Sequence, residues 1–242
     1  HYGVILTLNS IIEKGKIPVL LAPMAGVTDL PFRNVVSKFG VDMVFSEMIA
    51  DHSVLSRNLK NQKIELGSSF SNTAVQLAGC EPKAMGEAAK IVSDLGARAI
   101  DINMGCPAKK VVGGYSGSAL MRDLKKASAI IESVVNAVDL PVFLKARLGW
   151  DDYTKNAKEL GQLAEKCGVQ LFTIHARTRN QFYKGFADWN AILEVKRAVT
   201  IPVIVNGDIV DIRSASEALK LSETDGLMIC LLYTSPSPRD IS

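Results

Sequence analysis

The sequence predicts an α/β fold, a (β/α)8 TIM barrel, on three observations. Short apolar segments of strand length alternate with amphipathic stretches of helix length along most of the chain. Eight such strands fit within the 242 residues, the size of one barrel. Five of them carry polar residues at their C-terminal ends, on the face opposite an aliphatic one.

The strands are expected at VLLAPM (19–24), VDMVFSEM (41–48), TAVQLAG (73–79), ARAIDINM (97–104), PVFLKARLG (141–149), VQLFTIHAR (169–177), IPVIVNGD (201–208) and TDGLMIC (224–230). Between them, 82–96, 125–139, 154–168, 188–199 and 211–221 repeat apolar residues at three-to-four spacing, as core-facing helices do. Gly96 and Gly168 stand where the helix must stop before the next strand. An open doubly wound sheet is the runner-up, but no G-x-G-x-x-G follows the first strand. The expected organisation is a lead-in at 1–16, the barrel at 17–230 and a tail at 231–242. After MIC the chain reads LLYTSPSPRDIS, with three Ser, two Pro and no helical period, so an eighth helix is not expected. This tail resembles translated sequencing-adapter read-through, and the natural gene is expected to continue differently from about Cys230. The chain opens on His1, so its natural start is expected upstream.

Composition narrows the function classes. Hydrophobic residues are 48% and charged residues 22%, ordinary for a soluble domain. No run approaches the ~18 apolar residues of a membrane span, so no membrane partner is expected. The first residues lack a basic start and a small-residue cleavage site, so no signal peptide is read. A net charge of +3 permits a nucleic-acid partner without arguing for one. Cysteines at 80, 106, 167 and 230 have no C-x-x-C spacing, which argues against zinc and against a disulfide scaffold. A reducing cytoplasm is the expected compartment, and a monomer the default state.

Strand alternation sorts the polar residues. Lys145 and Arg147 share one face, with Leu144 and Ala146 opposite. His175 and Arg177 oppose Phe172 and Ile174. Asp101 and Asn103 oppose Ile100 and Ile102, Gln76 opposes Val75 and Leu77, and Asn206 and Asp208 oppose Val203 and Val205. In a barrel the aliphatic face packs on helices and the polar face points to the axis, so Gln76, Asn103, Lys145, Arg147, His175, Arg177 and Asn206 are expected to form a ring at the C-terminal rim, where barrels keep their active sites. Each member also has a plainer reading. Lys145 would suit an ion pair with Asp101, His175 a satisfied core position, and Arg177 a loop surface. Cys106 would suit a packed thiol, but its Gly-Cys-Pro turn presents the sulfur instead of hiding it. No second cysteine or acidic pair stands at metal-ligand spacing, so no metal is expected.

MAGVTDLPFR (24–33), VQLAG (75–79), DINMGCPAKKV (101–111), GSALM (117–121), LKARLGWDD (144–152), HARTRNQFYKGFADW (175–189) and VIVNGDI (203–209) occur in order. Together they resemble the tRNA-dihydrouridine synthases, nearest the bacterial B-type branch, from about residue 17 to 229. The resemblance implies an FMN barrel that reduces a uridine of tRNA to 5,6-dihydrouridine, with NADPH as donor. It implies FMN contacts at Pro23, Met24, Ala25, Gln76, Lys145, His175, Asn206, Gly207 and Asp208. It implies uracil contacts at Asn103 and Arg147, with Arg177 nearby. Hydride would pass from FMN N5 to C6, and Cys106 would act as the catalytic acid at C5. In two places the chain departs from the family. GLMIC (226–230) replaces a G-x-M-I-G-R-G ending whose glycine and arginine cradle the flavin phosphate, and Ala176 stands where glycine is common. By that resemblance, the last barrel helix and the family's C-terminal helical domain are expected to lie outside this sequence. Three other readings are carried: a dihydroorotate dehydrogenase-like barrel, a Schiff-base aldolase using Lys145, and an RNA-binding barrel fragment without a working flavin site.

Overall fold

The computed structural model describes residues 16–55 and 73–230. All but the last residue of the expected lead-in, and the whole tail at 231–242, lie outside the described residues. Among the described residues nine parallel strands are present: β1 (Val19–Leu21), β2 (Met43–Phe45), β3 (Ile49–Ala50), β4 (Thr73–Ala78), β5 (Ala99–Met104), β6 (Val142–Arg147), β7 (Leu171–His175), β8 (Val203–Asn206) and β9 (Gly226–Ile229). Eight close a ring in the order β1, β2, β4, β5, β6, β7, β8, β9, with β9 returning to β1. This is the expected barrel with its eight strands in the expected places. One segment differs. The strand expected at 41–48 stops at Phe45, and β3 then pairs separately with β4 through Ile49 and Ala50.

The helices are α1 (Leu30–Ser37), α2 (Asp51–Leu55), α3 (Pro82–Asp94), α4 (Lys109–Gly113), α5 (Leu124–Ala137), α6 (Ala157–Lys166), α7 (Asn190–Ala198) and α8 (Ile212–Ser222), with a 3-10 turn at Gly117–Arg122. The five expected helices are α3 and α5 to α8, each within a few residues of its expected bounds. Local chemistry sets the starts. Asp29 caps α1 by accepting the Phe32 N–H at 2.9 Å, and Pro31 sits in its first turn. Asp123 caps α5, and Asp211 with Ser214 forms a capping box on α8.

The strands' two faces divide as their sequences require. Outward residues such as Val75, Ile100, Leu144, Phe172 and Val205 join the inner faces of the helices in the main core. Inward residues at the N-terminal ends are apolar: Leu20, Met43, Phe45, Ala74, Ala99, Phe143, Leu171, Ile204 and Met228 pack into a floor across the barrel. Two residues further along β4 to β8 the inward face turns polar, as from Phe143 to Lys145 to Arg147 and from Ala99 to Asp101 to Asn103, while on β1, β2 and β9 it stays apolar. The floor and the polar tier above it position the site.

Candidate active site

The polar strand ends converge on one cavity of about 300 Å³ at the C-terminal mouth of the barrel. All the expected catalytic, cofactor and substrate positions line it, while Asp101 lies buried outside the lining. Pro23, Met24 and Ala25 follow β1, Gln76 comes from β4, and Asn103 and Cys106 come from β5 and its loop. Lys145 and Arg147 come from β6, His175 and Arg177 from β7 and just beyond, and Asn206, Gly207 and Asp208 from the end of β8.

A chain of hydrogen bonds fixes one wall. Gln76 Nε2 donates to Asp101 Oδ2 at 2.6 Å, and Asn103 Nδ2 donates to Gln76 Oε1 at 2.8 Å. Asn103 Oδ1 then accepts the backbone N–H groups of Gly105 at 3.1 Å and Cys106 at 2.9 Å. Asp101 anchors the chain from full burial, with its Oδ1 unpartnered. Burial pushes its carboxyl up to about 7, against the opposing pull of the Gln76 amide and the Lys145 charge. Cys106 is half-buried, and its carbonyl accepts Ser118 N–H and Oγ–H, which ties the Gly-Cys-Pro turn from its other side.

Lys145 crosses the cavity. Its Nζ donates to Asn206 Oδ1 at 3.1 Å, and Asn206 Nδ2 donates to the Met228 carbonyl at 2.8 Å. Its hydrogen-bond partner is therefore Asn206; Asp101 acts on it only through its charge. Burial, then the nearby Arg147 guanidinium, pull Lys145 down to about 8. The same causes, burial first and then Arg147, Lys145 and Arg177, hold His175 well below its ordinary value, so its ring is neutral at pH 7.

The two arginines are buried, at 2% exposure for Arg147 and 5% for Arg177. Arg147 donates from Nε to the Gly105 carbonyl and from Nη1 to the Thr178 and Phe182 carbonyls, so it bridges the Cys106 turn to the loop after β7. Arg177 donates to the carbonyls of Lys184 and Gly185 and pairs with Asp208 at 2.7 Å. The loop-surface reading of Arg177 is thereby corrected: the loop folds back over it. Asp208 also accepts the Ala187 N–H at 2.7 Å.

Sequence reasoning missed part of the lining. Met48 enters from the segment between β2 and β3, and Ile209 and Val210 from beyond β8. Tyr183 and Phe182 also line the mouth, with the Arg147 Cζ 5.4 Å from the Tyr183 ring centroid. The aromatic run at 182–186 was the available signal for that pair; Met48 carried none. Among the described residues, no cluster of His, Cys, Asp and Glu is placed to hold a metal. None of their helices is long and apolar enough to cross a membrane.

Comparison with known proteins adds three findings. The family model described as dihydrouridine synthase matches residues 20–233. The chain is 54% identical over 213 residues to a "Probable tRNA-dihydrouridine synthase" of Rickettsia bellii, covering 87% of this chain and 65% of the relative. It is 55% identical over 215 residues to one of the same name from Rhodobacter capsulatus, covering 88% and 66%. To "tRNA-dihydrouridine synthase B" of Vibrio cholerae it is 46% identical over 212 residues, covering 87% and 66%. The chain thus spans just under two thirds of these relatives' length. Among solved structures it is similar to a FabK mutant from Thermotoga maritima, with a TM-score of 0.55 at 14% identity, covering 91% of this chain and 62% of that one. It is also similar to nitroalkane oxidase from Streptomyces ansochromogenes, with a TM-score of 0.58 at 12% identity, covering 97% and 71%. These two likenesses are of fold.

Proposed function

This chain belongs to the dihydrouridine synthase family, and on that premise we propose that it is the catalytic barrel of an FMN-dependent enzyme reducing a uridine of tRNA to 5,6-dihydrouridine, with NADPH as electron donor. In this reading residues 17–230 are the catalytic domain, working as a monomer in the cytoplasm.

The residues present fit a flavin mononucleotide. Ala22, Pro23, Met24 and Met48 give an apolar wall for a flat ring, and the Gln76 amide and Lys145 ammonium face its polar edge. Gly207, at φ +112°, lets the backbone approach closely: a Cβ there would stand 2.9 Å from the His175 ring. His175, Asn206, Gly207 and Asp208 are assigned to the phosphate end. The Asp208 carboxylate is already paired with Arg177, so it does not stand as a bare charge against a phosphate.

Bound there, the flavin supplies the hydride that saturates the uracil C5=C6 bond. Lys145, which lines the cavity and keeps its ammonium there, would set a positive charge beside the ring. Asn103 and Arg147 meet the uracil, and Arg177 stands beside it. Cys106 gives its S–H proton to C5 as the enolate collapses. The observation that carries this reading is the convergence of Cys106, Asn103, Gln76 and Lys145 on one cavity in a chain of this family.

The test is visible absorbance of the purified chain with added FMN, followed by reduction of an unmodified tRNA transcript. Oxidised-flavin bands that stay with the folded protein, and dihydrouridine formed with NADPH, are expected. A folded chain that takes up no flavin would sink the assignment of the cavity.

A further inference from the structure

Outside the cavity, the rim of the barrel carries a cationic and aromatic cluster that the proposed chemistry leaves unused. Trp150 stands just past β6. Arg122, at the end of the 3-10 turn in the β5 loop, has its Cζ 4.7 Å from the Trp150 ring centroid. Arg179, just past β7, has its Cζ 4.6 Å from the same centroid. Two guanidiniums from different loops are thus held over one indole, closer together than the Debye length of about 10 Å at 0.1 M salt. Among the described residues neither is paired with a carboxylate, and the Arg179 Nε is buried without a hydrogen-bond partner. The indole face attracts both cations but supplies no net negative charge. An anion at the rim would supply the negative charge that the indole does not.

Exposed aromatics and lysines surround the cluster, and the nearby carboxylates are engaged: Asp151 accepts from Tyr153 and Thr154, Asp152 pairs with Lys155 and Asp123 caps α5. Tyr115 and Tyr153 are 74% and 98% exposed, and Phe186 is 89% exposed. All three stand on the loops after β5, β6 and β7, as do the exposed Lys109, Lys110 and Lys184. The loops are tied to one another, so the surface is set before any partner binds. Arg179 N–H donates to the Gly149 carbonyl at 2.9 Å, Asn180 N–H to the Trp150 carbonyl at 2.9 Å, and Asn156 Nδ2 to the Met121 carbonyl at 2.7 Å.

We propose that Arg122 and Arg179, held over Trp150, form a phosphate clamp for the RNA strand flanking the base in the cavity, with Tyr153 as a stacking surface beside it. The proposal deepens the RNA reading above and rests on it. A base drawn out of its stack into the barrel mouth brings its neighbouring phosphates across the rim. A guanidinium grips phosphate oxygens through two parallel N–H bonds, and exposed aromatic rings take unstacked bases of any sequence.

The test is fluorescence anisotropy of the chain with a labelled, unmodified tRNA transcript across a salt series. Arg122→Gln and Arg179→Gln are each expected to flatten the slope of log K against log salt by about 0.7–0.9, one phosphate's worth. Arg179→Lys restores the slope, because the charge is kept. Tyr153→Ala weakens binding about fivefold or more at unchanged slope. Lys90→Gln, on the exposed side of α3, leaves the slope alone, and unchanged thermal midpoints show that all variants fold. Arginine variants with the slope of Lys90→Gln overturn the clamp and leave the RNA reading standing. Absence of any salt-dependent binding by the unaltered chain overturns both.

Discussion

Asn103 holds the turn that presents Cys106: one side-chain oxygen accepts the N–H groups of both Gly105 and Cys106, at 3.1 and 2.9 Å. The orientation of that amide is not free. Its nitrogen must face Gln76, and the Gln76 nitrogen must face Asp101. A buried carboxylate thus sets, through two amides, where the thiol stands.

Replacing Asn103 with Ala leaves two backbone donors without an acceptor, each costing about 1–3 kcal/mol where water is excluded. The expected result is a looser Cys106 turn. Alkylation of Cys106 by iodoacetamide should change in rate, and tRNA reduction should fall more than tenfold. An Asn103→Ala protein with parental alkylation and reduction rates would show that the turn stands without the amide.

Cys106→Ala removes the proposed acid and little else. General acids contribute about 10²–10⁴-fold, so reduction of tRNA should drop by that order while flavin binding persists. Single-turnover oxidation of the reduced flavin by tRNA measures it directly.

Asp101 gives a pH signature. Its folded value of about 7 lies above the ordinary 3.8, so between these limits the folded protein holds a proton that the unfolded chain releases. Its contribution to stability is full below pH 3.8 and lost as pH rises through 7. Asp101→Asn does not titrate there. Its melting temperature relative to the parent should climb from pH 4 to 7 and level off above. His175 titrates with the opposite sign but is common to both proteins, and Lys145, which feels the Asp101 charge, titrates near 8, so the difference is read between pH 4 and 7. A difference that stays flat with pH would mean the carboxyl is ionised throughout.

Gly207→Ala places a side chain at φ +112°, 2.9 Å from the His175 ring and 3.2 Å from the Ala187 Cβ. Strain and overpacking of this kind cost about 1–3 kcal/mol. Lower thermal stability and weaker flavin retention are expected together, because the clash falls on the site.

The barrel was legible because its strands alternate cleanly: Phe143, Lys145 and Arg147 on one face and Leu144 and Ala146 on the other admit one placement. The helix α1 was passed over, although Asp29 and Pro31 are a start signal, because it spans only eight residues. The cavity lining was legible from the same alternation. The work of the arginines was not. Arg147 and Arg177 read as free donors at strand ends, yet their guanidiniums also hold carbonyls at Gly105, Thr178, Phe182, Lys184 and Gly185, and Arg177 pairs with Asp208. Backbone carbonyls carry no signature in a sequence, and the loops that bring them are the least periodic part of the chain. The stack on Trp150 escaped for the same reason, since Arg122, Trp150 and Arg179 meet only when three loops are folded.

The floor of Phe143, Leu171, Ile204, Met228 and their neighbours plugs the barrel below the site. Traffic therefore has one doorway. In the proposed reaction a nicotinamide donor and a tRNA nucleobase would share a well of about 300 Å³, so the donor is expected to leave before the acceptor enters. The enzyme proposed here alternates between two half-reactions, and its double-reciprocal plots at fixed levels of the second substrate should run parallel instead of crossing.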